Sequence, residues 1–190
     1  KREGVGFVLD ALAAAFPGRP AWVYGVDGRF RAPAAARAEP LAVAAANWAA
    51  AARFLARRHP DALLVDVGST TTDIVPIVAG RLAARGRTDP ERLAAGELVY
   101  TGALRTPAAA IAPRVPLRGR WCRTAAETFA IAADVHVWLG HIPPEAYTCE
   151  TPDGRGAARR EVAARLARVV CADLELLGPR DIDRIARHLA

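Results

Sequence analysis

Methionine is absent from the 190 residues, and lysine occurs once, at Lys1, so arginine supplies the rest of the 26 basic side chains. A lysine at the visible end cannot serve a P-loop, a Schiff base or a Ser-Lys pair inside the fold. Cysteine is scarce as well. Cys122, Cys149 and Cys171 are odd in number, far apart and without a C-x-x-C pair, which excludes a disulfide frame or zinc knuckle and fits a reducing cytoplasm. No uncharged apolar run reaches about 18 residues, and no signal peptide stands at the visible start, so no membrane partner is expected. The missing initial Met suggests a segment of a longer reading frame.

What is present is enough to fold. Hydrophobic residues make up 52% and charged residues 24%, with mean hydropathy +0.09. That balance suits a globular chain and excludes general disorder. The net charge is +6 and the isoelectric point about 10.0. The arginines alternate with acids, as in Arg159-Arg160-Glu161 and Arg180-Asp181-Ile182-Asp183-Arg184, which reads as solvated helix faces and not as a nucleic-acid surface.

Apolar spacing predicts a helix over residues 3–16, stopped by Pro17-Gly18, and a short strand at Ala21–Tyr24 closed by Asp27-Gly28. The alanine-rich stretch from Leu41 to Arg58 predicts one helix, interrupted in character only by Asn47-Trp48. Ala62–Val67 is a near-continuous apolar run, expected as a strand buried on both faces. A second strand over Ile74–Val78 and a third over Leu82–Arg85, joined at Ala79-Gly80, complete an expected antiparallel meander. Thr88 with Glu91, and Thr124 with Glu127, each match a capping box, the second opening a helix expected to run to Gly140. On that helix Glu127 and Asp134 would share a face. Two last helices are expected at about 157–177 and 179–189.

The densest chemistry lies in Asp66-Val67-Gly68-Ser69-Thr70-Thr71-Thr72-Asp73. Gly68 lets the backbone turn close to a ligand, and successive N–H groups and hydroxyls offer donors to phosphate oxygens. A carboxylate ending a buried strand needs a cation, and Mg²⁺ is commonly held by one or two carboxylates plus substrate phosphate, so Asp66 with Asp73 as helper suits it. The competing reading is a hydroxyl-rich hairpin turn.

This octapeptide resembles the second phosphate motif of the actin, sugar-kinase and Hsp70 superfamily, in its hydantoinase/oxoprolinase-like variant. Together with Arg87–Leu93, Gly96–Gly102, Leu104–Pro107 and Ala126–Ala130, the chain resembles the methanofuran-biosynthesis synthase family, whose bacterial members are often labelled tetrahydromethanopterin-linked C1-transfer pathway proteins. The resemblance runs through essentially the whole chain and is strongest from Leu63 to Phe129. It implies a transferase that joins the phenol of γ-glutamyltyramine to an aminomethyl-furan methyl diphosphate and releases diphosphate. It further implies Mg²⁺ at Asp66 and Asp73, diphosphate on Gly68, Ser69, Thr70 and Thr71, and Arg105 as a bidentate phosphate clamp. Asn47 is carried as a further substrate contact, and Glu97 and Tyr100 as groups that position the amine or phenol, alongside Asp66 in the chemistry.

Members of the superfamily carry an earlier phosphate loop on a first hairpin, and Asp27-Gly28, followed by Arg29-Phe30-Arg31 without hydroxyls, is no equivalent. The expected fold is therefore α/β of the ribonuclease-H-like, actin/sugar-kinase type, a mixed sheet with flanking helices and the N-terminal part missing. Residues 1–60 would close a first lobe, and residues 61–190 would form the second. Expected partners are small-molecule substrates; a homo-oligomer is compatible. The rival functions are an ATP-dependent kinase or hydantoin-type hydrolase, and a sensor or assembly protein of the same fold without chemistry.

Overall fold

The computed structural model describes residues 1–190. They form two compact units, one of residues 1–66 and 73–99, the other of residues 67–72 and 100–190. The strands after residue 60 thus belong chiefly with the N-terminal helices, and not with a lobe that starts there.

In the first unit, helix α1 (Arg2–Ala15) follows the apolar period, and β1 (Val23–Tyr24) pairs antiparallel with β2 (Phe30–Arg31). Asp27 closes that turn by accepting the Arg29 N–H and binding the Arg31 guanidinium at 2.9 Å. After α2 (Pro33–Ala38), the single helix expected over Leu41–Arg58 is instead α3 (Pro40–Val43) and α4 (Asn47–Ala56). Pro40 has no N–H with which to continue α2, and Ala45 takes a left-handed φ of 59° that separates α3 from α4. Local geometry overrides alanine's helix propensity here. The small face of α4, Ala49, Ala52 and Ala56 beside Trp48, packs on Val75 and Ile77.

Those two residues lie on β4 (Thr72–Val78), which sits between β3 (Ala62–Val67) on one side and β5 (Arg81–Leu82) and β6 (Leu98–Val99) on the other. The β4–β5 turn has φ 48° at Ala79 and 70° at Gly80, the primed geometry of a two-residue hairpin. The expectation for β3 fails in one respect. Leu63, Val65 and Val67 are exposed at 62%, 53% and 58%, while Leu64 alone packs on the core. Leu63, Val65 and Val67 alternate with Leu64 and so share the face of β3 that the core does not cover. Helix α5 (Asp89–Ala95) has the expected capping box at Thr88 and Glu91, and ends on Gly96 at φ 68°.

The second unit is mainly helical: α6 (Ala108–Ile111), the antiparallel pair β7 (Arg114–Leu117) and β8 (Arg120–Arg123), then α7 (Ala132–Leu139), α8 (Arg159–Arg168) and α9 (Pro179–Leu189). Its core joins Val115, Val135, Val162, Leu166, Ile182 and Ile185. The capping box expected at Thr124 does not form. Thr124 donates its hydroxyl to the Ala112 carbonyl, Glu127 accepts only the next N–H, and α7 starts at Ala132, where Asp134 accepts the Ile131 N–H at 3.0 Å. Glu127 and Asp134 therefore share no helix face. Helix α8 likewise stops at Arg168, short of the span expected, with Cys171 at φ 56° beyond it.

Within this core Arg165 and Asp134, both fully buried, pair at 2.8 Å, and Arg165 also binds Asp153 and the Gly156 carbonyl. Burial pushes the Asp134 carboxyl up, against the downward pull of Arg165 and the Ile131 N–H. The architecture is mixed α/β with several small antiparallel sheets. No helix is long and apolar enough to cross a membrane.

Candidate functional site

The segment 67–72 belongs to the second unit, where residues 101–106 grip it. The Gly68 carbonyl accepts the Ala103 N–H at 2.9 Å, and the Ser69 carbonyl accepts both Leu104 N–H at 3.1 Å and Arg105 N–H at 2.8 Å. Gly68 N–H closes the loop on the Thr71 carbonyl at 2.8 Å. Thr72 donates its hydroxyl to the Thr101 carbonyl. The Thr106 hydroxyl both accepts the Gly102 N–H and donates to the Gly102 carbonyl, which stiffens the gripping strip.

Gly102 is required by close approach. A Cβ there would lie 2.6 Å from the Gly68 oxygen and the Thr70 nitrogen, inside contact distance of rigid backbone. Tying the loop's carbonyls to one side leaves the N–H groups of Ser69 and Thr71 without an acceptor in this unit, with the Ser69 and Thr70 hydroxyls beside them. Successive unpaired donors in a fixed turn make a concavity suited to anions. The Arg105 side chain, exposed and free of any ion pair, projects from the same gripping strip. Beside the loop, Val67, Thr72, Gly102, Ile111, His136 and Leu189 help to line a cleft of about 340 Å³, apolar apart from threonine hydroxyls and the imidazole.

The other candidates separate into two kinds. Asp66, the last residue of the first unit, is exposed on β3 and pairs with no arginine or lysine. Asp73 is buried and holds Arg92 at 2.6 Å, so its carboxylate is already neutralised. Arg92 also donates to the Glu97 carbonyl and lies over the Trp48 ring at 4.0 Å. Glu97, expected to position substrate, is buried and accepts the Arg85 and Gly86 N–H groups at 2.6 and 3.0 Å. Both its oxygens thus hold backbone. Tyr100 is 66% exposed, and Asn47 sits exposed in the first turn of α4 in the first unit.

No three His, Cys, Asp or Glu side chains converge as a metal cluster. Asp66, next to the loop in sequence, offers one exposed carboxylate, whereas Asp73 is taken by Arg92. The sequence gives no local sign of Arg92, whose partner is 19 positions away, or of the imidazole of His136 in the cleft.

One hydroxyl-bearing turn, clasped by a strip that carries Gly102, stands on a mixed α/β frame. Residues 7–189 match the hydantoinase/oxoprolinase family, and the chain belongs to it. It is 41% identical over 190 residues to the (4-{4-[2-(gamma-L-glutamylamino)ethyl]phenoxymethyl}furan-2-yl)methanamine synthase of Methanocaldococcus jannaschii, covering 100% of this chain and 57% of that protein. It is also 41% identical over 124 residues to the enzyme of the same name from Methanococcus vannielii, covering 65% of this chain and 55% of that one. The chain spans a little over half the length of the curated relatives it matches.

Proposed function

We propose that the protein takes part in the reaction named for these relatives, joining the phenol of γ-glutamyltyramine to an aminomethyl-furan methyl diphosphate as an aryl ether and releasing diphosphate, in methanofuran biosynthesis. The observation that carries this reading is the Gly68–Thr71 loop, whose Gly68 and Ser69 carbonyls are held by residues 103–105 while the Ser69 and Thr71 N–H groups hold no acceptor. Diphosphate departure concentrates negative charge on the leaving oxygens. Donors fixed beforehand stabilise that charge without reorganising. A furanylmethyl cation is resonance-stabilised, so the protein's task is positioning and electrostatics.

In this reading Ser69, Thr70 and Thr71 hold the diphosphate, Gly68 allows the approach, and Arg105 adds a bidentate charge-assisted contact. The adjoining cleft, of about 340 Å³, is the size and polarity for an aromatic ring. Asp66 is the residue that would hold Mg²⁺, which would supply further neutralisation of the leaving group. The frame is read as ribonuclease-H-like, of the actin and sugar-kinase type, on the strength of the family match.

Full-length protein incubated with γ-glutamyltyramine, the furan diphosphate and Mg²⁺, and read by mass, should yield the ether. Asp66→Ala should lose product while keeping its circular-dichroism signal. No ether from the wild type, with thermal stabilisation by ATP and none by diphosphate, would overturn the reading in favour of ATP-dependent chemistry.

A further inference from the structure

Ether formation requires the phenol to lose a proton, and apart from Asp66, whose carboxylate is read as the Mg²⁺ holder, the residues so far assigned do not accept it. Serine and threonine hydroxyls and arginine are not bases at neutral pH. Both oxygens of Glu97 hold backbone N–H groups, Asp73 holds Arg92, and Tyr100 carries a phenol of its own. The cleft beside the loop does contain one base. His136, in the last turn of α7, lines it with Thr72 and Gly102.

His136 is not an isolated imidazole. Gly140 takes φ 74°, the chain folds back, and His141 donates its N–H to the His136 carbonyl at 2.9 Å. That return brings the two rings together, Nδ1 to Nδ1 at 3.1 Å. The Nδ1 of His136 is therefore engaged, and Nε2 is the nitrogen left for a ligand.

We propose that His136 is the general base of the ether-forming step, with His141 as the positioning residue that fixes its tautomer. This rests on the transferase reading above. With Nδ1–H of His136 donating to Nδ1 of His141, Nε2 keeps its lone pair. The phenol O–H bond breaks and its proton passes to Nε2. The phenolate oxygen forms a bond to the furanylmethyl carbon, and the carbon–oxygen bond to diphosphate breaks, its electron pair leaving with the diphosphate. The imidazolium so formed keeps its Nδ1–H on the His141 Nδ1, as an orienting group does in other base pairs of this logic. Burial and the like charge of His141 both push His136 below its ordinary value of 6.5, so it stands unprotonated at neutral pH. His141 is the titratable group that acts on it.

The test uses full-length protein and both substrates. His136→Gln is expected to lower kcat by about 10²- to 10⁴-fold, the usual worth of a general base. Binding of inorganic diphosphate should be unchanged, and a ring-fluorinated, more acidic phenol should regain much of the lost rate. The wild-type kcat should fall with acid below 6.5, and that limb should vanish in the variant. His141→Ala is expected to lose about tenfold in kcat, less than the base itself. Ether made by His136→Gln at the wild-type rate and with the same acid limb would remove His136 alone. No ether from the wild type would remove the base and the transferase reading together.

Discussion

Asp73–Arg92 and the Gly68–Thr71 loop are neighbours in sequence and opposites in use. In the first, every strong group is spent: Asp73 on Arg92, Arg92 on the Glu97 carbonyl and the Trp48 face, Glu97 on two backbone N–H groups. In the second, the Gly68, Ser69 and Thr71 carbonyls are spent and the Ser69 and Thr71 N–H groups are spare. A buried carboxylate with a cation already beside it is scaffolding, because separating the pair would strand a charge in the core. Donors held rigid at a surface, hydrated when nothing is bound, stay available to an anion.

The contrast can be broken from the scaffolding side first. Arg165→Ala, in the fully buried pair with Asp134, should cost about 3–5 kcal/mol of stability, read by denaturant unfolding. A loss below about 1 kcal/mol would mean that burying the pair is not what holds α7 to α8. Gly102→Ala comes next. Its Cβ would enter the space of Gly68 and Thr70, so diphosphate binding and ether yield should fall by about a hundredfold, a preorganised-donor-sized loss. Full binding by that variant would show that the loop yields and is not rigid. Arg105→Lys, which keeps charge and loses the fork, should weaken diphosphate binding by about tenfold, the size of one charge-assisted hydrogen bond.

The smallest effect concerns Asp27. Its hydrogen bond from Arg31 holds the carboxyl down to about 2 from the ordinary 3.8. The folded value lies below the unfolded one, so this contribution is complete above about 4 and is lost as pH falls from 3.8 toward about 2. Asp27→Asn should flatten the unfolding profile in that window and lower stability slightly at pH 7, where the wild-type carboxylate contributes in full.

Local signals were legible in the sequence and long-range ones were not. The Ala79-Gly80 turn, the Thr88 cap with Glu91 and the hydroxyl loop itself are written in adjacent residues, and each formed. Thr124 carried the same capping signal and formed no cap, because the Ala112 carbonyl took its hydroxyl and Asp134 capped the helix eight residues on. Asp73 and Glu97 read as reactive acids because nothing in their neighbourhoods announces Arg92 or the Arg85-Gly86 backbone as partners. The apolar run of β3 specified a strand correctly, yet burial depends on what covers it, and pattern alone does not say. Nothing next to His136 in sequence marks it out; its pairing with His141 depends on the left-handed turn at Gly140.

The central claim is that the Gly68–Thr71 turn seats a diphosphate. Titrating ¹⁵N-labelled protein with inorganic diphosphate and following backbone amides tests it most directly. The account predicts the largest shifts at Ser69, Thr70 and Thr71, with Arg105 following and Arg85 and Gly86 unmoved. Saturable shifts elsewhere that leave those three amides in place would contradict it.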